Sequence, residues 1–362
     1  GSLPRSLDCV SAFDMDDFFV SPFAHVNFID KSLLSMWQTA FSRLTRELND
    51  AVETRDGVDP AERHRLIGVR ARWYGGFPQL FFRCASTKPN PAQQLRQVRT
   101  RLNQYLAGDF HLVVAAWRRD YEKQCSKTRH QSESTDAVRA VRAVQLVKQM
   151  FISRATNLVN SNGIASWTSA MFTQMVSKHP VTDEHDWEPP PAVDMNLSAL
   201  SAILAKADPL VGVGPRGLKS TYLSVLVNAC TDGPESAEAF AQFERLGKLY
   251  CNAMLPPWLN LALGGGALTA VLKKAVVDGT EPDGRPVKAE DFDTSSFTKA
   301  IQRAVTAAVL ESVQPQQLGV KVSGGVELCV WGVKLWIEEM LSGGERSVAL
   351  KLDIKNAHNS FS

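Results

Sequence analysis

The residue best placed to do chemistry in this chain is Asp353, which follows an apolar run that begins at Val348. A strand that ends in an acid, followed by a polar turn, puts a carboxylate at the rim of a sheet, where oxygen ligands can hold a hard cation. In two-metal phosphoryl transfer one carboxylate bridges both ions and an adjacent backbone carbonyl completes the coordination, which suits Ile354. A lone Asp after a strand is more often a turn residue or a cap. The residues alone therefore leave a metal site and a simple turn both open.

Three further features precede Asp353 along the chain. They are Lys273-Lys274, the run Gly284-Arg285-Pro286-Val287, and Gln317-Leu318-Gly319 with Ser323-Gly324-Gly325. Arginine offers a two-pronged fork to phosphate oxygens, whereas lysine acts as a point charge. Each feature is weak when taken alone, since Arg285 also suits a surface position beside a turn at Asp283-Gly284.

In this order and spacing, the four features resemble the fingers and the first palm motif of reverse transcriptases, specifically those of eukaryotic non-LTR retrotransposons. Residues 142–180 and the turn Gly214-Pro215-x-Gly217-Leu218 also resemble the region ahead of the fingers in such elements. The resemblance covers most of residues 140–362 and is more specific at the end of the chain than upstream.

The resemblance implies an RNA-directed DNA polymerase that adds deoxynucleotides to a primer by two-metal phosphoryl transfer. Its partners would be an RNA template, a DNA primer and deoxynucleoside triphosphates, and its cofactor would be Mg²⁺ or Mn²⁺. Asp353 would be the catalytic residue and would hold the metal together with Ile354. By the resemblance, the residues that would bind the nucleotide are Lys273, Lys274, Arg285, Ile354 and His358. Those that would form the loop against which template and nucleotide pack are Gln317, Gly319, Gly324 and Gly325.

Two departures from the family pattern concern this site. The family has Phe or Tyr, a steric gate against the ribose 2′-hydroxyl, where this chain has His358. The sequence also ends at Ser362, ahead of the second palm motif and of the paired-Asp turn that supplies the remaining metal carboxylate. We therefore expect a fragment that is truncated at the C-terminus and inactive by itself.

An uneven charge distribution supports a hypothesis from another class. The net charge is +2, yet from Glu62 to Arg154 there are 18 Lys and Arg against 6 Asp and Glu. The arginines on the polar faces of two predicted helices are Arg96, Arg99, Arg101, Arg118 and Arg119. Such a surface can bind nucleic-acid phosphates, or it can be an ordinary solvated face. The alternative function is a non-enzymatic, basic helical nucleic-acid-binding module from a decayed or domesticated element, and a helical scaffold with no nucleic-acid role is a third possibility.

The candidates for phosphate contact on this surface are Arg96, Arg99, Arg118 and Arg119. Arg96, Arg99 and Asn103 follow one another at spacings of three and four residues, which places them on one face of a helix.

Apolar spacing predicts the elements that must position these residues. Helices are predicted over residues 28–52, 91–106, 110–123, 137–159, 197–206, 218–230, 236–254 and 296–313, with a short one ending at Lys178. Strands are predicted over residues 268–273 and 348–354. We expect the α+β class, with a mostly helical N-terminal region followed by the fingers and the start of the palm of a right-hand polymerase.

An acidic, proline-rich stretch predicts the main boundary in the chain. Residues 182–193 contain four acids and three consecutive prolines, a composition typical of an extended linker. We expect a helical, partly basic region over residues 1–135, a helical connector over residues 136–181, and reverse-transcriptase-like fingers with a partial palm over residues 194–362.

Other motifs are weaker candidates for chemistry. Residues 212–220 read GVGPRGLKS, but Leu218 separates Gly217 from Lys219, so a turn leading into a helix is favoured over a phosphate loop. Asp291 and Asp293 stand just before a predicted helix, where capping is favoured over metal binding. The seven histidines and six cysteines show no zinc-ligand spacing, and there is no G-x-S-x-G motif of a hydrolase.

The most apolar stretch, residues 256–272, contains Asn260 and three consecutive glycines, so it predicts buried core instead of a membrane span. Widely spaced cysteines favour a reducing, intracellular compartment, and the life cycle of the elements that the chain resembles suggests the nucleus. We infer no membrane partner and no stable protein partner.

Overall fold

The computed structural model of the chain describes residues 6–12, 23–54, 57–84, 90–125, 136–148, 150–178, 197–209, 211–227, 233–274, 281–313 and 325–342. Within these ranges most residues are helical, and two strands form a small antiparallel sheet. The expected α+β class is therefore confirmed at the level of secondary structure, while the predicted strand over residues 348–354 lies outside the described residues.

The first half of the described chain contains helices α1 (Leu34–Glu53), α2 (Pro60–Phe82), α3 (Pro91–Leu106), α4 (Phe110–Cys125), α5 (Asp136–Lys148), α6 (Ile152–Val159) and α7 (Ser169–Lys178). The second half contains α8 (Leu200–Ala205), α9 (Ser220–Ser224), α10 (Pro234–Cys251), α11 (Pro257–Gly264), strands β1 (Gly266–Leu272) and β2 (Gly284–Glu290), α12 (Phe292–Val313) and α13 (Gly325–Leu341). Short 3₁₀ helices lie at Leu7–Ala12 and Lys31–Leu33.

Local capping explains where several predicted helices begin. The Asn90 side chain accepts a hydrogen bond from Ala92 N, and Pro91 occupies the first turn, so α3 starts where the sequence predicts. Asp30 caps the 3₁₀ turn before α1 by accepting from Ser32 N at 2.9 Å. These caps satisfy amide groups that have no partner within the helix.

Several predicted helices differ from the observed elements, and the helix predicted over residues 28–52 begins only at Leu34. The helix predicted over residues 137–159 is broken into α5 and α6, because Met150 has a φ of 64° and ends α5 in the left-handed conformation. The helix predicted over residues 218–230 is confined to Ser220–Ser224 in the described residues, and a turn follows. Helix α12 begins at Phe292, four residues before the predicted start.

Helix α2 is a long element that apolar spacing does not predict. Its second half contains Gly75, Gly76 and Pro78, which usually interrupt helices. Every residue from Trp73 to Phe82 is nevertheless buried, so this half of the helix is surrounded by core and shows no polar face that would reveal a helical period.

The main core is rich in aromatic side chains that come from distant parts of the chain. Trp37 of α1 contacts Phe77 of α2 with ring centroids 5.1 Å apart. Phe82 stacks on Tyr222 of α9 at 4.4 Å. The Trp37 indole N–H donates to the Tyr222 carbonyl at 2.9 Å, so the polar edge of the buried ring is also satisfied.

This core joins both sides of the predicted boundary at residues 182–193. Helix α1 packs along α10, and Asn49 Nδ2 donates to the Gln242 carbonyl at 3.0 Å. Gln38 Nε2 donates to the Val225 carbonyl at the same distance. Among the described residues, the regions before and after the boundary thus share one core, while the boundary residues themselves lie outside the described part.

A second, smaller core lies between α7 and the sheet. Met171 and Met175 of α7 and Ala270 of β1 are each at most 2% exposed. Leu268 and Leu272 pack at its edge. The stretch predicted as buried core is therefore divided between the two cores, since Leu259 and Leu263 of α11 belong to the first and Ala270 belongs to the second.

Candidate functional site

The two strands form a hairpin whose faces differ in composition. β1 and β2 pair antiparallel, with Val271 opposite Arg285 and Ala270 opposite Pro286. Because side chains alternate along a strand, Ala270 and Leu272 face α7 while Val271 and Arg285 lie on the other face. The apolar side of the hairpin is therefore covered by α7, and the side that carries Arg285 is open.

Basic residues cluster at the tip of the hairpin, where β1 ends and β2 begins. Lys273 and Lys274 directly follow β1 and are exposed, and Arg285 is the exposed second residue of β2. Lys273 continues the face of Val271, diagonally across from Arg285, at the separation of about 7 Å that such pairs have. Strand alternation thus puts Lys273 and Arg285 on one face and Lys274 on the other, so the structure places the three basic residues singled out in the sequence at one end of the hairpin.

Acid partners at this end are limited. Lys273 Nζ lies 3.4 Å from Asp283 Oδ2 in an ion pair that is partly exposed. Within the described residues, neither Arg285 nor Lys274 has an ion-pair partner. The guanidinium of Arg285 is therefore available to an external anion.

The base of the hairpin is fixed by a buried cluster around Arg216. β2 ends at Glu290, and Asp291 follows at the start of α12. Arg216 Nε donates to Asp291 Oδ2 at 3.0 Å, and Arg216 Nη2 donates to Asp293 Oδ1 at 2.5 Å. Tyr74 of α2 donates its hydroxyl to Asp293 Oδ2 at 2.8 Å. All four residues are at most 1% exposed.

Backbone amides complete the bonding of the two carboxylates. Leu218 N donates to Asp291 Oδ1 at 3.2 Å, and Thr294 N donates to Asp293 Oδ1 at 2.8 Å. Each carboxylate oxygen therefore has at least one donor. Asp291 occupies the position before α12, since its carbonyl accepts from Ser295 N at 3.1 Å, while its carboxylate accepts from Arg216 and from Leu218 N. The sequence did not reveal the larger role of both acids, which is to bind Arg216.

The charges of this cluster are unequal, since one guanidinium faces two carboxylates. Burial alone would lower the pKa of Arg216, but Asp293 and Asp291 together raise it. Burial raises the pKa of Asp291 against the opposing effect of Arg216. Burial and the charge of Asp293 raise the pKa of the Tyr74 hydroxyl. Arg216 thus remains a cation, and the cluster is stabilised by its hydrogen bonds as well as by charge.

The turn over residues 212–219 has no features of a phosphate-binding loop. Lys219 Nζ donates to the His25 carbonyl at 3.0 Å and to Asn27 Oδ1 at 2.6 Å, so its ammonium group is already bonded. Gly217 has a φ of +76°, and a Cβ there would lie 2.4 Å from His25 Cε1. Helix α9 begins at Ser220, which confirms the predicted turn into a helix.

The proposed metal site cannot be placed with the described residues. Asp353, Ile354 and His358 lie outside them, as do Gln317, Gly319 and Gly324. Gly325 is the first residue of α13. The described residues include no group of three or more His, Cys, Asp or Glu that could hold a metal ion.

The arginines proposed for phosphate contact are all exposed. Arg96 and Arg99 lie on α3, and Arg118 and Arg119 lie on α4. Arg99 Nη2 donates to Ser32 Oγ at 2.9 Å, and Arg118 Nε lies 3.1 Å from Glu122 Oε1. These contacts involve exposed groups and leave the surface basic.

Arg101 was expected on the polar face of α3, and this expectation was wrong. The residue is 5% exposed, and its Nη1 donates to the carbonyls of Phe81 and Arg83 at 3.0 and 2.9 Å. Burial, followed by the positive charge of Arg83, lowers the pKa of Arg101 to about 9. Arg101 therefore holds the end of α2 in place and is not presented to solvent.

Sequence reasoning missed the residues that hold the hairpin in place. Tyr74, Arg216, Gln174 and Lys178 contact it or its base, yet each lies between 75 and 219 positions along the chain from its partner there. Their contacts join residues such as Arg216 and Asp291, which are 75 positions apart. A Gly-Pro-Arg-Gly turn and an Asp-Phe-Asp triplet were visible in the sequence, but nothing local indicated that they meet.

Comparison with known proteins found no relative of this chain. No protein-family model, no curated protein and no solved structure matches the chain. The described helices include none that is long and apolar enough to cross a membrane.

Proposed function

We propose that this chain is the fingers and early palm part of an RNA-directed DNA polymerase from a eukaryotic non-LTR retrotransposon. The observation that carries the proposal is the hairpin that presents Lys273 and Arg285 on one open face. A fork-shaped guanidinium beside an ammonium group suits the phosphates of a deoxynucleoside triphosphate. The proposal includes an RNA template and a DNA primer as partners and the nucleus as the place of action.

In the parent reaction, the primer 3′-hydroxyl attacks the α-phosphate of the incoming nucleotide, and pyrophosphate leaves. Arg285 would bind phosphate oxygens through two N–H groups, and Lys273 or Lys274 would add positive charge beside it. The Asp353 carboxylate and the Ile354 carbonyl are the proposed ligands of Mg²⁺, an ion that stabilises the attacking and leaving oxygens when bound. Positioning and electrostatic stabilisation would supply most of the rate enhancement.

Equilibrium binding of deoxythymidine triphosphate with Mg²⁺ to the full chain tests the role of the hairpin. We expect Arg285→Ala to weaken binding about tenfold or more, since charge-assisted hydrogen bonds are lost. Inorganic tripolyphosphate should compete, because the contacts are to phosphate. Arg303→Ala removes an exposed arginine of α12, outside both proposed binding surfaces, and serves as the matched control. Equal binding by the unaltered chain and Arg285→Ala would contradict the proposal.

A primer-extension assay tests the expectation that these 362 residues are inactive by themselves. We expect no template-dependent product with Mg²⁺ or Mn²⁺, because one candidate carboxylate does not complete a two-metal site. Product that depends on the template would show that the chain contains a complete catalytic site.

The second candidate function is a basic helical module that binds nucleic acid without catalysis. The observation in its favour is the exposure of all four arginines proposed for phosphate contact, namely Arg96, Arg99, Arg118 and Arg119. Binding of a fluorescent RNA should weaken steeply from about 50 to 200 mM salt, because bound counterions are released on association. Arg119→Ala should reduce the salt dependence and Arg285→Ala should not. RNA binding that is insensitive to salt would argue against this module.

A further inference from the structure

Helix α7 packs closely against the tip of the hairpin, on the face opposite Arg285. Gly284 lies against this helix, because a Cβ at this position would lie 2.9 Å from Met171 Sδ and 3.0 Å from Met175 Cε. Such distances are too short for a methyl group without movement of both methionines. The residue directly before Arg285 is therefore in contact with α7.

Two polar side chains of α7 bind the backbone just ahead of Arg285. Gln174 Oε1 accepts from Gly284 N at 2.8 Å, and Gln174 Nε2 donates to the Pro282 carbonyl at 3.3 Å. Lys178 Nζ donates to the Gly284 carbonyl at 2.7 Å. Both peptide groups of Gly284 are thus hydrogen-bonded to α7, which fixes the backbone from which the Arg285 side chain extends.

Lys178 also binds the acid closest to the basic end of the hairpin. Its Nζ lies 2.6 Å from Asp283 Oδ1 and 3.0 Å from Gln174 Oε1, and 11% of its side-chain surface is exposed. The hydrogen bond from Lys178 lowers the pKa of Asp283. Asp283 is thereby held toward α7 and Lys273, and Arg285 has no described ion pair with it.

We propose that Gln174 and Lys178 are positioning residues that hold Arg285 ready to bind the triphosphate of a nucleotide. This inference rests on the proposed function. Neither residue lies on the open face, so each acts through Arg285 and does not itself touch the nucleotide.

The test measures binding of deoxythymidine triphosphate with Mg²⁺ to the full chain and its variants. Gln174→Leu is the decisive change because it removes both hydrogen bonds to the hairpin without changing charge. We expect it to weaken binding about fivefold. Lys178→Met should do the same, and Lys178→Arg should restore most of the affinity because a cation again reaches Asp283. Lys148→Met is the matched control, since Lys148 is an exposed lysine in the last turn of α5.

A double-mutant cycle separates positioning from general damage to the fold. In the Arg285→Lys background, which keeps a measurable point charge, Gln174→Leu should have little further effect if it acts through the arginine fork. An equal loss in both backgrounds would overturn the positioning role. Unchanged binding by both Gln174→Leu and Lys178→Met, with Arg285→Ala impaired, would overturn it as well.

Failure of the proposed function gives a different result in the same experiment. If the unaltered chain and Arg285→Ala bind the triphosphate equally, or if neither binds it, the hairpin is no nucleotide site and the positioning role falls with it.

Discussion

At the scale of single residues, Arg216 connects three parts of the chain, because its guanidinium contacts Asp291 and Asp293 and lies near the ring of Tyr74. Removing one member of a buried ionic group leaves an uncompensated charge in a medium that solvates it poorly. Arg216 therefore contributes far more to the free energy of unfolding than an exposed arginine does.

We predict that Arg216→Met lowers the free energy of unfolding by about 3 to 5 kcal/mol, because two buried carboxylates lose their cation. Urea denaturation followed by circular dichroism measures the change. Arg118→Met is the control: its ion pair with Glu122 is more than half exposed on both sides, so a loss of about 0.5 kcal/mol is expected. Similar losses in the two variants would show that the cluster does not stabilise the fold.

His25 gives the stability of the protein a defined dependence on pH. Burial, together with the charges of Lys219 and Arg83, lowers the pKa of His25 to about 3 from an ordinary value of 6.5. Between these two values the unfolded chain binds a proton that the folded chain does not, so stability falls as the pH decreases. We predict a loss of about 1 to 2 kcal/mol between pH 7.5 and pH 5 from this residue.

Unfolding free energies of the unaltered chain and His25→Gln over this pH range isolate the effect. The variant lacks the titrating ring, so its stability should change less with pH. Parallel pH curves for the two proteins would mean that His25 is protonated equally in the folded and unfolded states.

The exposure of charged residues beside turns was easier to predict than the burial of polar ones. Exposure of Lys273, Lys274 and Arg285 follows from their charge and from their position next to turn residues. Burial of Arg101 could not be inferred, because its helix position also suits the polar face, and its partners at Phe81 and Arg83 lie about 20 residues earlier. Buried polar groups depend on such partners, which local sequence does not specify.

At the scale of elements, helices with one apolar face were predicted well and fully buried ones were missed. The bounds of α3 agree with the predicted residues 91–106 because Asn90 and Pro91 mark its start. Helix α2 was missed because its second half is buried all round and contains Gly75, Gly76 and Pro78. The strand β2 was missed because Pro286 and three charged residues obscure its alternation.

The end of α5 offers a test of backbone preference. Phe151 N donates to the Leu146 carbonyl and Met150 N donates to the Val147 carbonyl, both at 2.9 Å, which is the paired bonding of a left-handed helix cap. Met150 occupies the position that favours glycine, and its side chain is 78% exposed. The left-handed conformation therefore costs free energy with little packing in return.

We predict that Met150→Gly stabilises α5 by about 0.5 to 1 kcal/mol, the cost of the left-handed conformation less the extra backbone entropy of glycine. Native-state hydrogen exchange of the amides from Ala143 to Leu146 measures this local effect. Met150→Ile, which adds a branched Cβ, should increase exchange at the same amides. Faster exchange in the glycine variant would contradict the prediction.

At the scale of the whole molecule, packing crosses the predicted boundary at residues 182–193. Contacts such as Trp37 with Tyr222 and Asn49 with Gln242 join residues more than 180 positions apart. The composition of residues 182–193 indicated a linker. Composition, however, carries no information on whether the regions on each side fold separately. Hydrophobic patterns show which faces are buried and do not identify their partners.

We predict that the two parts of the chain stay associated after cleavage within residues 182–193. A protease site inserted there can be cut under native conditions, followed by size-exclusion chromatography. The pieces should elute together because α1 remains packed on α9 and α10. The same cleavage in about 6 M urea is the control, since the shared core is then lost. Separate elution under native conditions would indicate two independent domains.

The cluster of Arg216, Asp291 and Asp293 also limits how this chain can diverge through evolution. Loss of the arginine alone leaves two buried acids, and loss of one acid alone changes the charge that faces the arginine. Replacement of the whole group by apolar residues of similar volume is far better tolerated than either single step. In a lineage that retains this hairpin, the three positions should therefore covary, either kept as a set or exchanged together.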